Sequence, residues 1–339
     1  MTASVPGHGA DERLSLLTNW VEQHLPETVL QIEPASADAS FRRYFRVFHK
    51  RGSHIAMDSP PEREALDRFI DLASRLRRSG LKAPRVLAAD VSSGFALLSD
   101  LGRATYLDIL EESPERADAL YGDAIHRLVT LQLRVDPVDL PDYDETLLRT
   151  ELGIFEEWLL ERHLGLALGA DERALWETAC DRLVASALEQ PKVCVHRDYH
   201  SRNLMVGSAG DPGVLDFQDA VRGPLTYDLV SLLRDCYHVL GTEQLTRYRQ
   251  WYLDLAGQTV LANHLPDAAV FARWFDRMGA QRHLKAAGIF ARLNHRDGKP
   301  GYLPDIPRTL NYVVALNDSE LAGLSDWLSR RVVPALPAT

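Results

Sequence analysis

Apolar positions change period along the chain. Between 61 and 79, Ala65, Phe69, Leu72, Ala73 and Leu76 recur at i, i+4, i+7, i+8 and i+11, the single stripe of an amphipathic helix. Pro61 suits its first turn and Gly80 its stop. A shorter helix over 11–25 rests on Leu14, Leu17 and Val21, and Pro26 closes it. Around these helices the runs are short and suit strands: 29–33, the alternation of Phe45 and Val47, 54–57, 85–89 and 95–98. Beyond residue 100 the helical period takes over, over 117–133, 144–164, 171–188, 224–240, 243–255, 267–293 and about 319–331. These stripes are core-forming faces. The pattern predicts an α+β protein, with a small, mostly β part followed by a larger, mostly helical one.

One interruption of the helical part carries chemistry. Over 191–228, apolar runs at 193–195, 204–206 and 214–215 deliver His196-Arg197-Asp198, His200, Asn203 and Asp216. Three short strands around tight turns, one of them at 207–213, would set these side chains at one edge of a small sheet. Phosphoryl transfer needs a carboxylate to take the proton of the attacking hydroxyl and oxygen ligands to hold magnesium on the phosphates. Magnesium takes hard oxygen ligands, usually only one or two of them carboxylates. Asp198 suits the base and Asn203 with Asp216 the metal, and Asp219 is a further carboxylate for the metal or phosphate side. His196 reads as a packing histidine and Asp228 as an anchor for the loop backbone.

The letters H-x-D-x-H-x-x-N, with L-D-F beginning twelve residues past the Asn, resemble the protein-kinase-like fold. His200, and Gly223-Pro224 followed by Asp228-Leu229, look like its aminoglycoside phosphotransferase and choline kinase branch. Only seven residues, 217–223, separate Asp216 from Pro224, so no long activation segment receives a protein substrate. The resemblance implies a bilobal protein-kinase-like fold: an N-lobe over 11–99, and a C-lobe over 100–339 holding hinge, catalytic loop and substrate-binding helices. It implies ATP and Mg2+ as cofactors. Small residues at 36–40 would cover the nucleotide phosphates, with Ser40, Phe41, Arg42 and Arg43 as contacts. Leu98 and Asp100, at the hinge sequence Ser99 to Gly102, would meet the adenine. The chain departs from the family at 54–58, where a strand lysine for the phosphates is usual: no Lys lies between Lys50 and Lys82. Some other cation must serve, and the lysine's carboxylate partner is left to Glu62 or Glu64.

Length and charge narrow the partners. The 339 residues suffice for two lobes, and 45% apolar with 25% charged content describes a globular protein. A net charge of −10 and a pI near 5.6 argue against nucleic acid or an anionic membrane surface. Three cysteines without metal spacing, Cys180, Cys194 and Cys236, read as reduced thiols in a cytoplasmic protein. No run of about 18 apolar residues predicts a membrane span, and the N-terminus has no apolar signal segment. Residues 1–10, small and Gly-rich, are expected to be a disordered tail, and the protein is expected to be a monomer.

The stretch 281–308 is dense in Arg, His, Asn, Lys and Tyr within this acidic chain. Cationic acceptors such as choline or an aminoglycoside need carboxylates and aromatic faces, so a basic wall favours a neutral or anionic acceptor. DASFRRYFRV, MDSPPE, LDFQDAVRGPLTYDLVSLLRDCY and GIFARLNHRDGKPGYLPDIPR together are similar to bacterial amino-sugar kinases of cell-wall recycling. That subgroup phosphorylates the anomeric hydroxyl of N-acetylmuramate and N-acetylglucosamine, and it too lacks the strand lysine. A lactyl carboxylate could pair with Arg292, Arg296 or Arg308. His200, Asn294, His295 and Tyr302 are expected at hydroxyl or acetamido groups, and the C1 hydroxyl is acidic enough for an ordinary aspartate at Asp198. The bland alternative is that several of these residues are surface salt-bridge partners of Asp297 and Asp305. The rivals are a kinase for an aminoglycoside, choline or other alcohol, and a nucleotide-binding pseudokinase supported only by the missing lysine.

Overall fold

Asp11 accepts a hydrogen bond from Leu14 N with its own carboxylate, which caps helix α1 (Glu12–His24). The computed structural model describes residues 11–36, 42–207 and 211–337. The expected tail at 1–10, Ser40 and Phe41 of the phosphate loop, and part of the 207–213 turn lie outside the described residues. The chain forms two compact units that divide between Gly102 and Arg103.

In the first unit α1 is followed by β1 (Gln31–Ser36), β2 (Arg43–His49), β3 (Gly52–Asp58), α2 (Leu66–Arg78), β4 (Val86–Asp90) and β5 (Phe95–Ser99). The strands form one antiparallel sheet in the order β1-β2-β3-β5-β4. Leu17, Trp20 and Val21 of α1 pack with Phe45, Val47, Ala56, Phe95 and Leu97 of the sheet as one core. The helix expected from 61 begins instead at Leu66. Arg63 N and Glu64 N both turn back to Pro60 O, so the Pro60-Pro61 segment makes a turn ahead of the helix.

The second unit opens with α3 (Tyr106–Glu112), α4 (Ala117–Arg134) and α5 (Glu145–Ile154). A wider-wound segment, Phe155–His163, continues α5, and α6 (Ala170–Leu188) follows. Then come β6 (Lys192–Val195), β7 (Leu204–Met205), β8 (Gly213–Val214) and β9 (Val221–Pro224). The expected single small sheet is two ribbons: β6 pairs with β9, and β7 with β8. The residues read as the start of a long helix at 224 complete β9 instead. Helix α7 is only Tyr227–Leu233, because Asp235 is drawn to Ser201 N and Tyr237 N and takes the chain out of helix. Helices α8 (Thr242–Gly257), α9 (Ala268–Asp297), α10 (Asp305–Val314) and α11 (Ala322–Trp327) complete the unit. The 30-residue α9 lies so close to the end of α5 that a Cβ on Gly288 would meet the Ile154 carbonyl and Phe155 N at 2.6 Å. No described helix is long and apolar enough to cross a membrane.

Candidate active site

Strand β6 delivers the catalytic loop. His196 is buried edge-on to Tyr199 at 5.7 Å, and burial pushes its pKa down to about 4, so the ring is neutral and structural. Arg197 then adopts φ +80°, which an L residue holds only under constraint. The constraint is Asp228, whose carboxylate accepts from His196 N at 2.6 Å and Arg197 N at 2.9 Å. Burial lifts the Asp228 carboxyl to about 7 despite these donors.

Beneath the loop lies a charge cluster that sequence reasoning missed. Glu151 of α5 is buried and takes Arg197, the Tyr143 hydroxyl and Lys285 Nζ of α9, the last at 2.9 Å. Lys285 also reaches the Tyr227 hydroxyl at 3.3 Å, and the Arg282 guanidinium lies 5.1 Å from that ring's centre. Burial alone would raise the pKa of Asp198, but Lys285, His200, Arg282 and Arg197 outweigh it and hold the carboxyl below its ordinary range. Asp198 is therefore ionised at neutral pH, the state a proton acceptor needs.

Asn203 and Asp216 are brought together across the β7–β8 ribbon, where Leu215 N donates to Asn203 O at 2.9 Å. The Asn203 amide nitrogen is 3.0 Å from Asp198 O and 3.3 Å from Asp216 Oδ2. Its amide oxygen therefore turns away from both. Gln218 Nε2 donates to Asp216 Oδ1 at 2.8 Å, and Asp216 itself sits at φ +61°, solvent-facing. An amide and an exposed carboxylate 3.3 Å apart are the donor types of a magnesium ion that keeps several waters, and the amide has only to turn over to bring its oxygen to the Asp216 side. Among the described residues no group of three or more His, Cys, Asp or Glu could hold a metal. Asp219, three residues on, faces solvent.

In the first unit the strand that lacks its lysine carries an acid. Asp58, fully buried at the end of β3, faces Arg43 across the sheet. It receives Arg13 Nε at 2.9 Å and Arg43 Nη2 at 2.6 Å, while Arg43 also pairs with Asp11. Arg46 binds Asp100 at 2.7 Å, and Ser53 Oγ and Gly102 N complete that carboxylate's partners. Leu98 is buried in β5 opposite Ile55 and Val86. Arg42 is buried and pairs with Glu64 at 2.8 Å. Of the two acids at 62 and 64, Glu64 is the one that pairs with Arg42, the residue just before β2.

The 281–308 stretch divides. Arg296 pairs with Asp297 at 2.8 Å and Arg308 with Asp305. Arg292 is half-buried with no carboxylate at ion-pair distance among the described residues, and burial and Arg296 lower its pKa. Asn294 is half-buried beside it on α9, and the exposed His295 ring meets His163 at 3.1 Å. Tyr302 stacks on Phe290 at 5.7 Å and also borders Arg202, 5.6 Å from its ring centre. His200 lies 5.4 Å from Tyr237, which the sequence reading had not singled out, and burial lowers its pKa.

A carboxylate kept ionised beside an amide and a second carboxylate, on two ribbons set in a helical unit, describes a phosphotransferase of the kinase-like fold. The chain belongs to the phosphotransferase enzyme family, whose model matches residues 31–264. It is 45% identical to a Pseudomonas aeruginosa protein named N-acetylmuramate/N-acetylglucosamine kinase, over 94% of this chain and 97% of that one. A Neisseria meningitidis protein of the same name is 44% identical over 92% of this chain and 94% of its own length. A Pseudomonas putida protein of that name is 41% identical, with 96% and 98% covered. Among solved structures, choline kinase LicA from Streptococcus pneumoniae superimposes with a TM-score of 0.63 at 11% identity, over 89% of this chain and 99% of its own. An aminoglycoside phosphotransferase complexed with gentamicin gives 0.61 at 14%, over 92% and 98%.

Proposed function

We propose that the protein transfers the γ-phosphoryl group of ATP to the anomeric C1 hydroxyl of N-acetylmuramate or N-acetylglucosamine. The observation that carries this reading is the near-full-length identity, above 40%, with three proteins named for those two sugars. Asp198 accepts the C1 hydroxyl proton as that oxygen bonds to phosphorus and the bond from phosphorus to the β,γ-bridging oxygen breaks, leaving ADP and a sugar 1-phosphate. Asn203 and Asp216 would hold magnesium, which supplies charge neutralisation on the phosphates. Arg42, held by Glu64, is the cation assigned to the phosphates in place of the absent strand lysine. Ser40, Phe41, Leu98 and the Asp100 backbone remain part of this nucleotide reading. Arg43 is a strut between Asp58 and Asp11 and is assigned no phosphate.

Asn294, His295 and Tyr302 line the proposed acceptor wall with Arg292. A cationic acceptor fits it less well, because Asp297 and Asp305 are already paired with arginines. The acceptor is a small molecule met in the cytoplasm, by a monomer.

The test is ATP consumption with magnesium against both amino sugars, glucose, kanamycin and choline, with the product identified by phosphorus NMR. A C1 phosphate from the N-acetylated sugars alone is expected. Asp198→Asn should lower kcat by at least about 10³-fold, since it removes the proton acceptor and the charge facing the hydroxyl together. Turnover of kanamycin or choline alone would overturn the sugar reading.

A further inference from the structure

The catalytic loop contains a cation that the chemistry above does not use. Arg202 lies between His200 and Asn203, and its side chain is solvent-facing. Its guanidinium carbon is 4.6 Å from the ring centre of Tyr237 and 5.6 Å from that of Tyr302. Among the described residues no carboxylate lies at ion-pair distance from it; the nearby Asp305 is taken by Arg308.

The cradle is built rather than incidental. Asp235 ties the loop to one wall, accepting from Ser201 N at 3.0 Å and from Tyr237 N at 2.9 Å. Phe290 of α9 backs the other wall, stacked on Tyr302 at 5.7 Å and tilted toward Tyr237 at 6.2 Å. Beside the cradle, His200 Nδ1 is buried with no hydrogen-bond partner among the described residues.

Tyr237 and Tyr302 hold the guanidinium with their rings and hydroxyls and engage only part of its five N–H donors. The donors that remain can take a carboxylate bidentately. Arg43, Arg46 and Arg197 each end on a carboxylate. Arg202 is held in place without one.

We propose that Arg202 is the acceptor site's carboxylate-binding residue, so that it selects a sugar bearing a carboxyalkyl ether over its neutral counterpart. The proposal rests on the amino-sugar reading above and replaces Arg296 and Arg308 in the role of carboxylate partner. With N-acetylmuramate the ligand is the lactyl carboxylate; with N-acetylglucosamine the fork meets only water.

The test compares kcat/KM for N-acetylmuramate and N-acetylglucosamine in the wild type, Arg202→Gln and Arg202→Lys, each first checked by its melting temperature. A charge-assisted bidentate pair supports a fall in the muramate-to-glucosamine ratio on the order of 10²-fold in the Gln variant, carried mainly by KM for the muramate. The Lys variant keeps the charge but not the fork and should recover part of the ratio. A ratio unchanged within about twofold in the Gln variant would overturn the proposal, whether both sugars decline together, as for a phosphate ligand, or neither does. A wild type that turns over neither sugar would instead remove the underlying reading, before any variant is compared.

Discussion

Four arginines of the first unit's sheet region and two at the second unit's site are handled in opposite ways. In the first, Arg13 and Arg43 converge on Asp58, Arg42 meets Glu64 and Arg46 meets Asp100. Each positive charge is matched inside the fold, and the pairs work as struts between α1, β2, β3 and the segment leading out of β5. In the second unit one carboxylate, Glu151, serves both Arg197 and Lys285, while Arg202 and Arg292 have none at ion-pair distance among the described residues. Cations that a fold leaves unmatched beside a base are where an anionic ligand can supply the missing charge. Matched ones are where removing the acid costs stability.

Substitutions can break or sharpen this contrast. The largest stability effect should come from Asp58→Ala, which removes the fully buried carboxylate that the partly exposed Arg13 and Arg43 share. A loss of about 3–5 kcal/mol in urea unfolding is expected for stripping one partner from a buried pair. A loss below about 1 kcal/mol would mean the struts are dispensable.

Glu151→Gln should cost about 3 kcal/mol, since a neutral amide keeps some hydrogen bonds but not the charge. Its pH dependence has a defined sign. Burial opposes ionisation, but Lys285 and Arg197 hold the folded carboxyl below its ordinary value of 4.5. The stabilisation is therefore complete above that value and is lost as pH falls through the folded pKa. The wild type should lose stability on the acid side, and the Gln variant should show a flatter acid limb under the same urea series. An equally steep limb would remove Glu151 as its source.

The smallest stability effects should separate two neighbours on α9. Arg296→Met breaks an exposed pair and should change stability by less than about 0.5 kcal/mol, with sugar KM unaffected. Arg292→Met removes a half-buried cation with no paired acid and should leave stability within the same margin while raising KM for the acceptor. Identical kinetics in the two variants would erase the distinction drawn between matched and unmatched cations on that helix.

What could be read from the sequence was what lies close together along the chain. Asp198, Asn203 and Asp216 sit at fixed offsets on short hairpins, so local pattern alone assembles them. Asp297 and Asp305 were legible as acids for this basic stretch for the same reason, and the structure gives them Arg296 and Arg308. Glu151 is 46 residues from Arg197, and Asp58 is 45 from Arg13. Nothing local marks either acid as a partner, because the match is made by tertiary packing. Arg202 stood inside the motif as a spacer, and its meaning came only when Tyr302, a hundred positions on, was found against it. The short α7 escaped because its apolar periodicity continues past the point where Asp235 is captured by Ser201.

The close approach at Gly288 has a mechanical side. With no side chain there, α9 rests directly on the backbone at Ile154, and that contact works as a fulcrum for a rod 30 residues long. At 1.5 Å per residue the rod is about 45 Å, with Lys285 on one side of the pivot and Arg292 on the other. A tilt of about 5° would move Lys285 and Arg292, about 5 and 6 Å from the pivot, by roughly half an ångström each and in opposite senses. A single missing methyl thus sets how closely Lys285 is held to Glu151.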